Sequence, residues 1–315
     1  MLTRRNFGKL AISAVPIARA VAGIDSRTEG VQLGVQSYSF RDLSFNDALK
    51  AMVADGLGLC ELFDPHISDG HLDKAPLPPR PAGAPPMGPA DFARMRNDPA
   101  RKVKREETRQ WRASVPLSYF EGIKKRFDEA GIKLYAYNYS FSADMTDEEI
   151  DRGFQFAKAL GVKFITASTT IPVAEKVAPF ADKHKMIVAM HGHSDLKDPN
   201  QFAKPESFAK AKAMSPYFKT NLDIGHFTAA NFDAIDYIQK NHEDILLIHL
   251  KDRKKDEGQN TVWGEGDTPI GPVLRLLRDK KWDIPACIEY EYKGEQSSPV
   301  EVKKCLEFAE KQLKS

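Results

Sequence analysis

The sequence predicts an α/β fold, a single (β/α)8 TIM barrel, and three observations carry that prediction. Eight apolar runs rich in β-branched and aromatic residues recur along the chain, with amphipathic helical patterns between them. Alternating strands and helices call for a parallel sheet covered by helices, and a count of eight favours closure into a barrel over an open doubly wound sheet. Polar residues with metal-binding side chains fall at the C-terminal ends of the late runs, which is where such a barrel places its chemistry.

The elements follow in order. Residues 1–22 stand apart: Thr3-Arg4-Arg5-Asn6-Phe7-Gly8-Lys9 fits a twin-arginine export signal, followed by the apolar LAISAVPIA and small-residue motifs at Ala18-Arg19-Ala20 and Ala20-Val21-Ala22. The apolar stretch is far below the roughly 20 residues that span a bilayer, and Pro16 and Arg19 interrupt it, so a cleaved signal rather than a stable membrane anchor is expected. The expected location is periplasmic or secreted. Residues 23–315 form the barrel domain, whose length suits one large core.

The eight runs lie at 33–40 (LGVQSYSF), 58–63 (GLCELF), 133–139 (KLYAYNY), 163–168 (KFITAS), 186–191 (MIVAMH), 220–224 (TNLDI), 245–250 (ILLIHL) and 286–291 (ACIEYE). Between them, Ser44 with Asp47 and Thr146 with Glu149 fit capping boxes, which satisfy free N–H groups at helix starts. Gly131 and Gly161 stand where a helix closes and the next strand opens, a left-handed position that glycine tolerates. One stretch breaks the rhythm. Residues 64–115, after the second strand, contain APLPPRPAGAPPMGP and then ARMRNDPARKVKREETRQWRAS, so a long insertion on the active-site rim is expected, with the role of a lid over the barrel mouth. Its basic cluster, Arg101, Lys102, Lys104 and Arg105, reads as a solvated helix face.

Composition narrows the function. Lys and Arg number 46 against 44 Asp and Glu, so no global basic field argues for nucleic acid. The three cysteines imply no disulfide framework; Cys60 and Cys287 sit inside apolar runs as buried thiols.

The late runs carry the chemistry: MHGH (190–193), NLDIGHF (221–227), HLKDR (249–253) and IEYEY (288–292). Imidazoles and carboxylates are the ligands of divalent ions, and four strands delivering them to one rim make a metal site the leading reading. Strand side chains alternate, so Glu289 and Glu291 share a face, as do His191 and His193; one member of each pair can bind metal while the other meets substrate. Aromatic residues at strand ends, among them Tyr38 and Trp263, offer an apolar wall.

The elements SYSFRD (37–42), CELF (60–63), LDIGHF (222–227), IHLKDR (248–253), WGEGDTPI (263–270) and CIEYE (287–291) resemble the xylose isomerase-like TIM barrel superfamily, in particular its sugar phosphate isomerase/epimerase branch. The resemblance spans nearly the whole mature chain. It implies metal ligands on the fifth to eighth strands of the repeat, here His191 or His193, then Asp223, His249 and Glu289. It implies that His226 contacts substrate and that Lys251 and Asp252 complete a histidine-x-lysine-aspartate pattern. The sequence departs from ketose 3-epimerases, whose fifth strand supplies a proton-exchanging glutamate; here that place reads His191-Gly192-His193. The expected activity is therefore metal-dependent isomerisation or epimerisation of a sugar or cyclitol by proton abstraction beside a carbonyl, with Glu289, His191 and His193 as the acid/base groups. Manganese is the expected ion, with zinc, cobalt or magnesium as alternatives. Lysis or hydrolysis of a 3-keto glycoside through the same enolisation is the first alternative, and a carbohydrate-binding barrel without catalysis the second. A type IV endonuclease fits least, because it needs three metals and more ligands. Homo-oligomerisation stays open.

Overall fold

The computed structural model describes residues 23–76 and 98–315; the expected export signal and residues 77–97 of the insertion lie outside them. Nine strands are described: β1 (Arg27–Thr28), β2 (Val31–Gln36), β3 (Leu59–Phe63), β4 (Lys133–Asn138), β5 (Phe164–Ala167), β6 (Ile187–His191), β7 (Phe218–Asp223), β8 (Ile245–Leu250) and β9 (Ala286–Ile288). Strands β2 to β9 pair in sequence order, all parallel, and β9 pairs back onto β2 through Leu33↔Ala286, Gly34↔Cys287 and Val35↔Ile288. That last pairing closes the barrel. Strand β1 runs antiparallel to β2 across a two-residue loop, Glu29-Gly30, in which both φ angles are positive (49° and 84°), the geometry that matches the twist of a hairpin.

The helices are α1 (Phe45–Asp55), α2 (Pro99–Ser114), α3 (Leu117–Glu129), α4 (Asp147–Ala159), α5 (Ile171–His184), α6 (Pro205–Lys212), α7 (Ile224–Ala229), α8 (Ala234–Asn241), α9 (Ile270–Lys280) and α10 (Ser298–Leu313). Thr146 and Glu149 form the full reciprocal capping box on α4. At α1, Ser44 accepts the Asp47 N–H at 3.1 Å, but the Asp47 carboxylate takes the Ser44 hydroxyl instead of its backbone N–H, so only half of the box forms. Gly131 and Gly161 have φ of 72° and 71°, as their position before a strand requires.

The first strand stops at Gln36, four residues short of the expected end. The Gln36 side chain accepts the Tyr38 N–H and turns Ser37–Phe40 into a 3-10 helix. The serines then serve neighbouring strand ends: Ser37 Oγ accepts the Phe63 N–H at 2.8 Å, and Ser39 bridges the Ile288 carbonyl and the Tyr290 N–H. Hydroxyls that bond adjacent backbone offer an alternative to the ladder, which is why a β-rich composition ended in a turn.

Within the insertion, α2 is a helix docked on the barrel. Asp98 caps it, accepting from Ala100 N–H at 2.9 Å, with Pro99 in the first turn. Trp111 packs edge-on against Tyr119 at 5.6 Å, and the buried Arg112 reaches Asp64 at the end of β3 at 2.9 Å and covers the Tyr139 ring at 4.8 Å. Arg101 and Lys102 are exposed, as a solvated face would have them, whereas Lys104 pairs with Asp69 and Arg105 makes a two-pronged contact with Glu149.

The barrel lumen positions the site through the period of two. Its lower part is plugged by apolar residues: Leu59, Leu247 and Cys287 in one cluster, Ala136, Phe164 and Ala189 in another, with Tyr135 touching both. Gly34 leaves room for them, since a Cβ there would lie 2.5 Å from Leu59 and 2.9 Å from the Cys287 sulfur. Two residues further along each strand, on the same face, the side chains turn polar: Glu61, His249, Glu289, Asn138, Thr166 and His191. Bulges sharpen this aim. The β3–β4 register shifts at Cys60/Glu61 and the β7–β8 register at Thr220/Asn221, beneath two of the polar residues.

Candidate metal centre and substrate site

Four of the expected residues converge. His191 at the end of β6, Asp223 at the end of β7, His249 on β8 and Glu289 just past β9 are all buried and bring one ligand atom each to within 4.8 Å of one another. His191 Nε2 lies 3.5 Å from Asp223 Oδ2 and 3.7 Å from Glu289 Oε2, and His249 Nδ1 lies 3.0 Å from Glu289 Oε2. His191 Nε2 is buried and lacks any hydrogen-bond partner, and the buried Asp223 Oδ2 faces it at 3.5 Å. An unpartnered buried nitrogen is costly, and one set beside two carboxylates and a second imidazole is what a divalent ion would satisfy. Two imidazoles and two carboxylates make a mixed N/O donor set that suits several divalent ions. Of the paired histidines, His191 is therefore the one that faces the ligand cluster, with Ser168 Oγ 3.2 Å from its Nδ1.

Lys251 enters the same cluster from β8's continuation. Its ammonium lies 3.0 Å from Asp223 Oδ2, 3.0 Å from Glu289 Oε2 and 2.7 Å from Glu291 Oε2, and the side chain is almost wholly buried. Burial opposes its charge, but the three carboxylates outweigh burial and hold its pKa well above the ordinary lysine value. The same attraction acts in reverse. Burial disfavours the carboxylate charges of Asp223 and Glu289, yet Lys251, with His226 and His249 respectively, keeps both pKa values well below normal. His249 is likewise desolvated, and Glu61 and Glu289 push its pKa well above normal.

His226 sits beyond Lys251 on α7, where Asp223 caps the helix by accepting the His226 N–H at 2.7 Å. Arg253 donates from Nη1 to His226 Nδ1 at 2.6 Å, and its remaining contacts go to the Ser194 hydroxyl and the Gly258 carbonyl. A guanidinium only donates, so Nδ1 accepts from it, while the Lys251 ammonium, which also only donates, faces Nε2 at 3.1 Å; the ring is flanked by a cation at each nitrogen. Burial and the Lys251 charge hold His226 well below the usual histidine range, which keeps that ring neutral. His193 is neutral as well: burial and the neighbouring His191 lower its pKa to about 3. Its ring lies 5.1 Å from His191 and 5.4 Å from His226, and its buried Nδ1 has no partner.

The other expected residues divide. Glu291 lies at the edge of the site, bonded to Lys251 and 3.4 Å from Asn260 Nδ2. Tyr38 packs edge-on to Phe63 with the Arg41 guanidinium 4.7 Å over its ring, and burial together with Glu291 raises its phenol pKa. Asp252 turns away into its own loop, where its two oxygens accept backbone N–H groups from Gly264, Gly266 and Thr268 at 2.8–3.2 Å. Trp263 is buried against Phe308 of α10 at 6.0 Å, in the wall between loop and helix. These two shape the loop after β8 and do not line the ligand cluster.

Residues the sequence reading passed over complete the floor. Glu61, fully buried on β3, contacts His249 Nε2 and Thr166 Oγ1 closely and lies 3.4 Å from Asn138 Nδ2 and 3.5 Å from Asn221 Nδ2. Arg253 was missed too. Glu61 had a readable signal, since it stands two residues past Leu59 on a lumen-facing strand; Arg253 had none, because its role comes from a loop that folds back over His226.

The closed (β/α)8 barrel carries at its C-terminal mouth a buried cluster of two imidazoles and two carboxylates that could hold a metal ion. The model of the xylose isomerase-like TIM barrel family matches residues 97–312, and the chain belongs to that family, whose members are enzymes such as isomerases, epimerases and dehydratases. No protein of curated function matches it. Solved structures share the fold. An uncharacterised protein from Parabacteroides distasonis is 23% identical over 90% of this chain and 99% of its own, with a TM-score of 0.57. The 3-keto-D-glucoside 4-epimerase YcjR from E. coli is 10% identical over 89% of this chain and 99% of its own, also at 0.57. The IolI protein, which has a zinc atom bound, is 13% identical over 89% of this chain and 96% of its own, at 0.57.

Proposed function

We propose that the protein is a divalent-metal-dependent isomerase or epimerase that acts on an unphosphorylated sugar, glycoside or cyclitol by removing a proton from the carbon beside a carbonyl. The observation that carries this reading is the convergence of His191, Asp223, His249 and Glu289, with the unpartnered Nε2 of His191 among them. An ion held there would polarise the carbonyl oxygen and favour its enolate form. The neighbouring side chains supply the rest. Glu289 stays ionised and is the carboxylate best placed to exchange a proton on one face. His193 is neutral and has a free buried Nδ1, so it can accept or return a proton from the other. Lys251 keeps Asp223 and Glu289 ionised beside that point, and His226 is the neighbouring ring best placed to meet a substrate oxygen.

Two features favour an unphosphorylated substrate. The cations at the floor are already engaged, Lys251 by three carboxylates and Arg253 by Ser194, His226 and Gly258, so neither is free to clamp a phosphate. The twin-arginine-type N-terminus supports a periplasmic location, where sugar phosphates are scarce; among the described residues no helix is long and apolar enough to cross a membrane. The histidine pair at the end of β6, in place of a glutamate, also supports a second reading: lysis or hydrolysis of a 3-keto glycoside, in which the enolate expels its substituent. The test is a screen of sugars, 3-keto glycosides and cyclitols with manganese-loaded protein in deuterium oxide. The proposal expects deuterium at the carbon beside the carbonyl, and a turnover loss of at least about 10²-fold in Glu289→Gln. Turnover without exchange at that carbon would move the mechanism to hydride transfer or direct displacement.

A further inference from the structure

We infer that Glu61 is the residue that decides which nitrogen of His249 meets the metal, by holding the Nε2 proton and leaving Nδ1 as the ligand atom. This rests on the metal-site reading above and adds to it a positioning residue from the opposite side of the barrel.

The His249 ring has a partner at each nitrogen. Nδ1 faces the ligand cluster, 3.0 Å from Glu289 Oε2. Nε2 faces down into the lumen, where Glu61 Oε2 makes the closest contact the ring has, and Asn221 Nδ2 stands 3.2 Å away. Two arrangements compete. Asn221 could donate to Nε2, which would force the proton onto Nδ1 and spoil it as a ligand. Glu61 can only accept while ionised, so Nε2 must carry the proton to satisfy it. Glu61 is the nearer group, and a charge-assisted bond is about twice as strong as a neutral one, so the second arrangement wins.

Glu61 is in turn held in place. It is fully buried, accepts the Thr166 hydroxyl on Oε1, and has the Asn138 and Asn221 amides 3.4 and 3.5 Å from that same oxygen. These donors come from β4, β5 and β7, so one carboxylate ties four strands to the metal-facing histidine. The register shift at Cys60/Glu61 places that side chain there. A fully buried carboxylate just above the apolar plug would be costly without such partners, and a carboxylate–histidine–metal relay is a recognised way to fix a ligand's tautomer.

The test compares wild type with Glu61→Gln, which keeps the shape and removes the charge. Manganese affinity measured by titration calorimetry should weaken about 10–100-fold in the variant, the usual effect of losing such a partner. Cadmium-113 loaded into protein with nitrogen-15 histidine should show coupling from the metal to His249 Nδ1. Its Nε2 proton should be slow to exchange, and it should be assigned by proximity to Thr166 and Asn221. The slow Nε2 proton should also appear in metal-free wild type, an arm that reads Glu61 even if the protein took up no ion. Metal coupling to Nε2, an Nε2 without a proton, or an unchanged manganese affinity in a folded Glu61→Gln would each overturn the inference. Should Glu61→Gln fail to fold, the two wild-type spectra decide alone. Wild type that binds no ion but keeps the Nε2 proton would refute the metal reading and leave the Glu61–His249 bond established.

Discussion

Lys251 is the most exposed point of the account to experiment. Replacing it with methionine keeps most of the stem and removes the ammonium that sits 2.7, 3.0 and 3.0 Å from Glu291, Glu289 and Asp223. At an effective dielectric of about 20, each contact is worth roughly 5–6 kcal/mol of gross attraction, most of which the desolvation of the charges offsets. The net cost of removing one partner from a buried ionic cluster is about 3–5 kcal/mol, because carboxylates are left uncompensated. For a domain of this size that corresponds to a fall in Tm of roughly 10 °C in the metal-free protein. Manganese should then reverse more of the loss in Lys251→Met than it adds to wild type, because Lys251 touches the same Asp223 Oδ2 and Glu289 Oε2 that face the ligand cluster, and ligand binding stabilises in proportion to the logarithm of affinity. Scanning calorimetry with a chelator and then with manganese reads both quantities. A chelated variant that melts within about 2 °C of wild type would refute the reasoning, since buried carboxylates cannot lose their only ammonium without consequence.

Two further outcomes are expected. His66 is buried, donates from Nε2 to the Phe40 carbonyl at 3.2 Å and meets the Ser37 hydroxyl through Nδ1, and burial lowers its pKa to about 4. Its folded pKa lies below the unfolded value of about 6.5, so the unfolded chain binds the proton first and stability falls as pH drops through that window; by pH 4.5 the loss is about 2.5 kcal/mol, and the fall in unfolding free energy from pH 7 to 4.5, measured by urea unfolding, should be smaller by that amount in His66→Asn, whereas equal falls would contradict it. Arg112→Met strips the buried Asp64 of its cationic partner and α2 of one anchor, so thermolysin should cut within residues 99–114 faster than in wild type, and equal cleavage would show that the remaining contacts of Trp111, Lys104 and Arg105 suffice to hold the helix.

Much of this molecule was legible from residue patterns. The run 245–250 is β8 to the residue, because it is a near-continuous apolar run and nothing in it competes for backbone groups. The ligand set was legible for a related reason: imidazoles and carboxylates recur at the ends of four late strands, and strand ends in a barrel share one rim. Where local side chains bond the backbone, the reading failed, as at SYSF, which became a 3-10 helix laced to β3 and the end of β9. Asp252 and Trp263 carried a family pattern, but only the loop's geometry shows that one staples three backbone amides and the other fills the wall beside α10. Glu61 hid in plain sequence because a single glutamate in CELF has no local partner; Thr166 lies 105 positions away and His249 188. Contacts of that separation are properties of the closed barrel.

The measurement that bears most directly on the central claim is the metal content of the folded protein. Elemental analysis after reconstitution with manganese and removal of free ion should find about one ion per chain in wild type and none retained in Asp223→Ala, which removes one of the four candidate ligand side chains. Wild type that retains no divalent ion of any kind, while folded and reconstituted, would contradict the account.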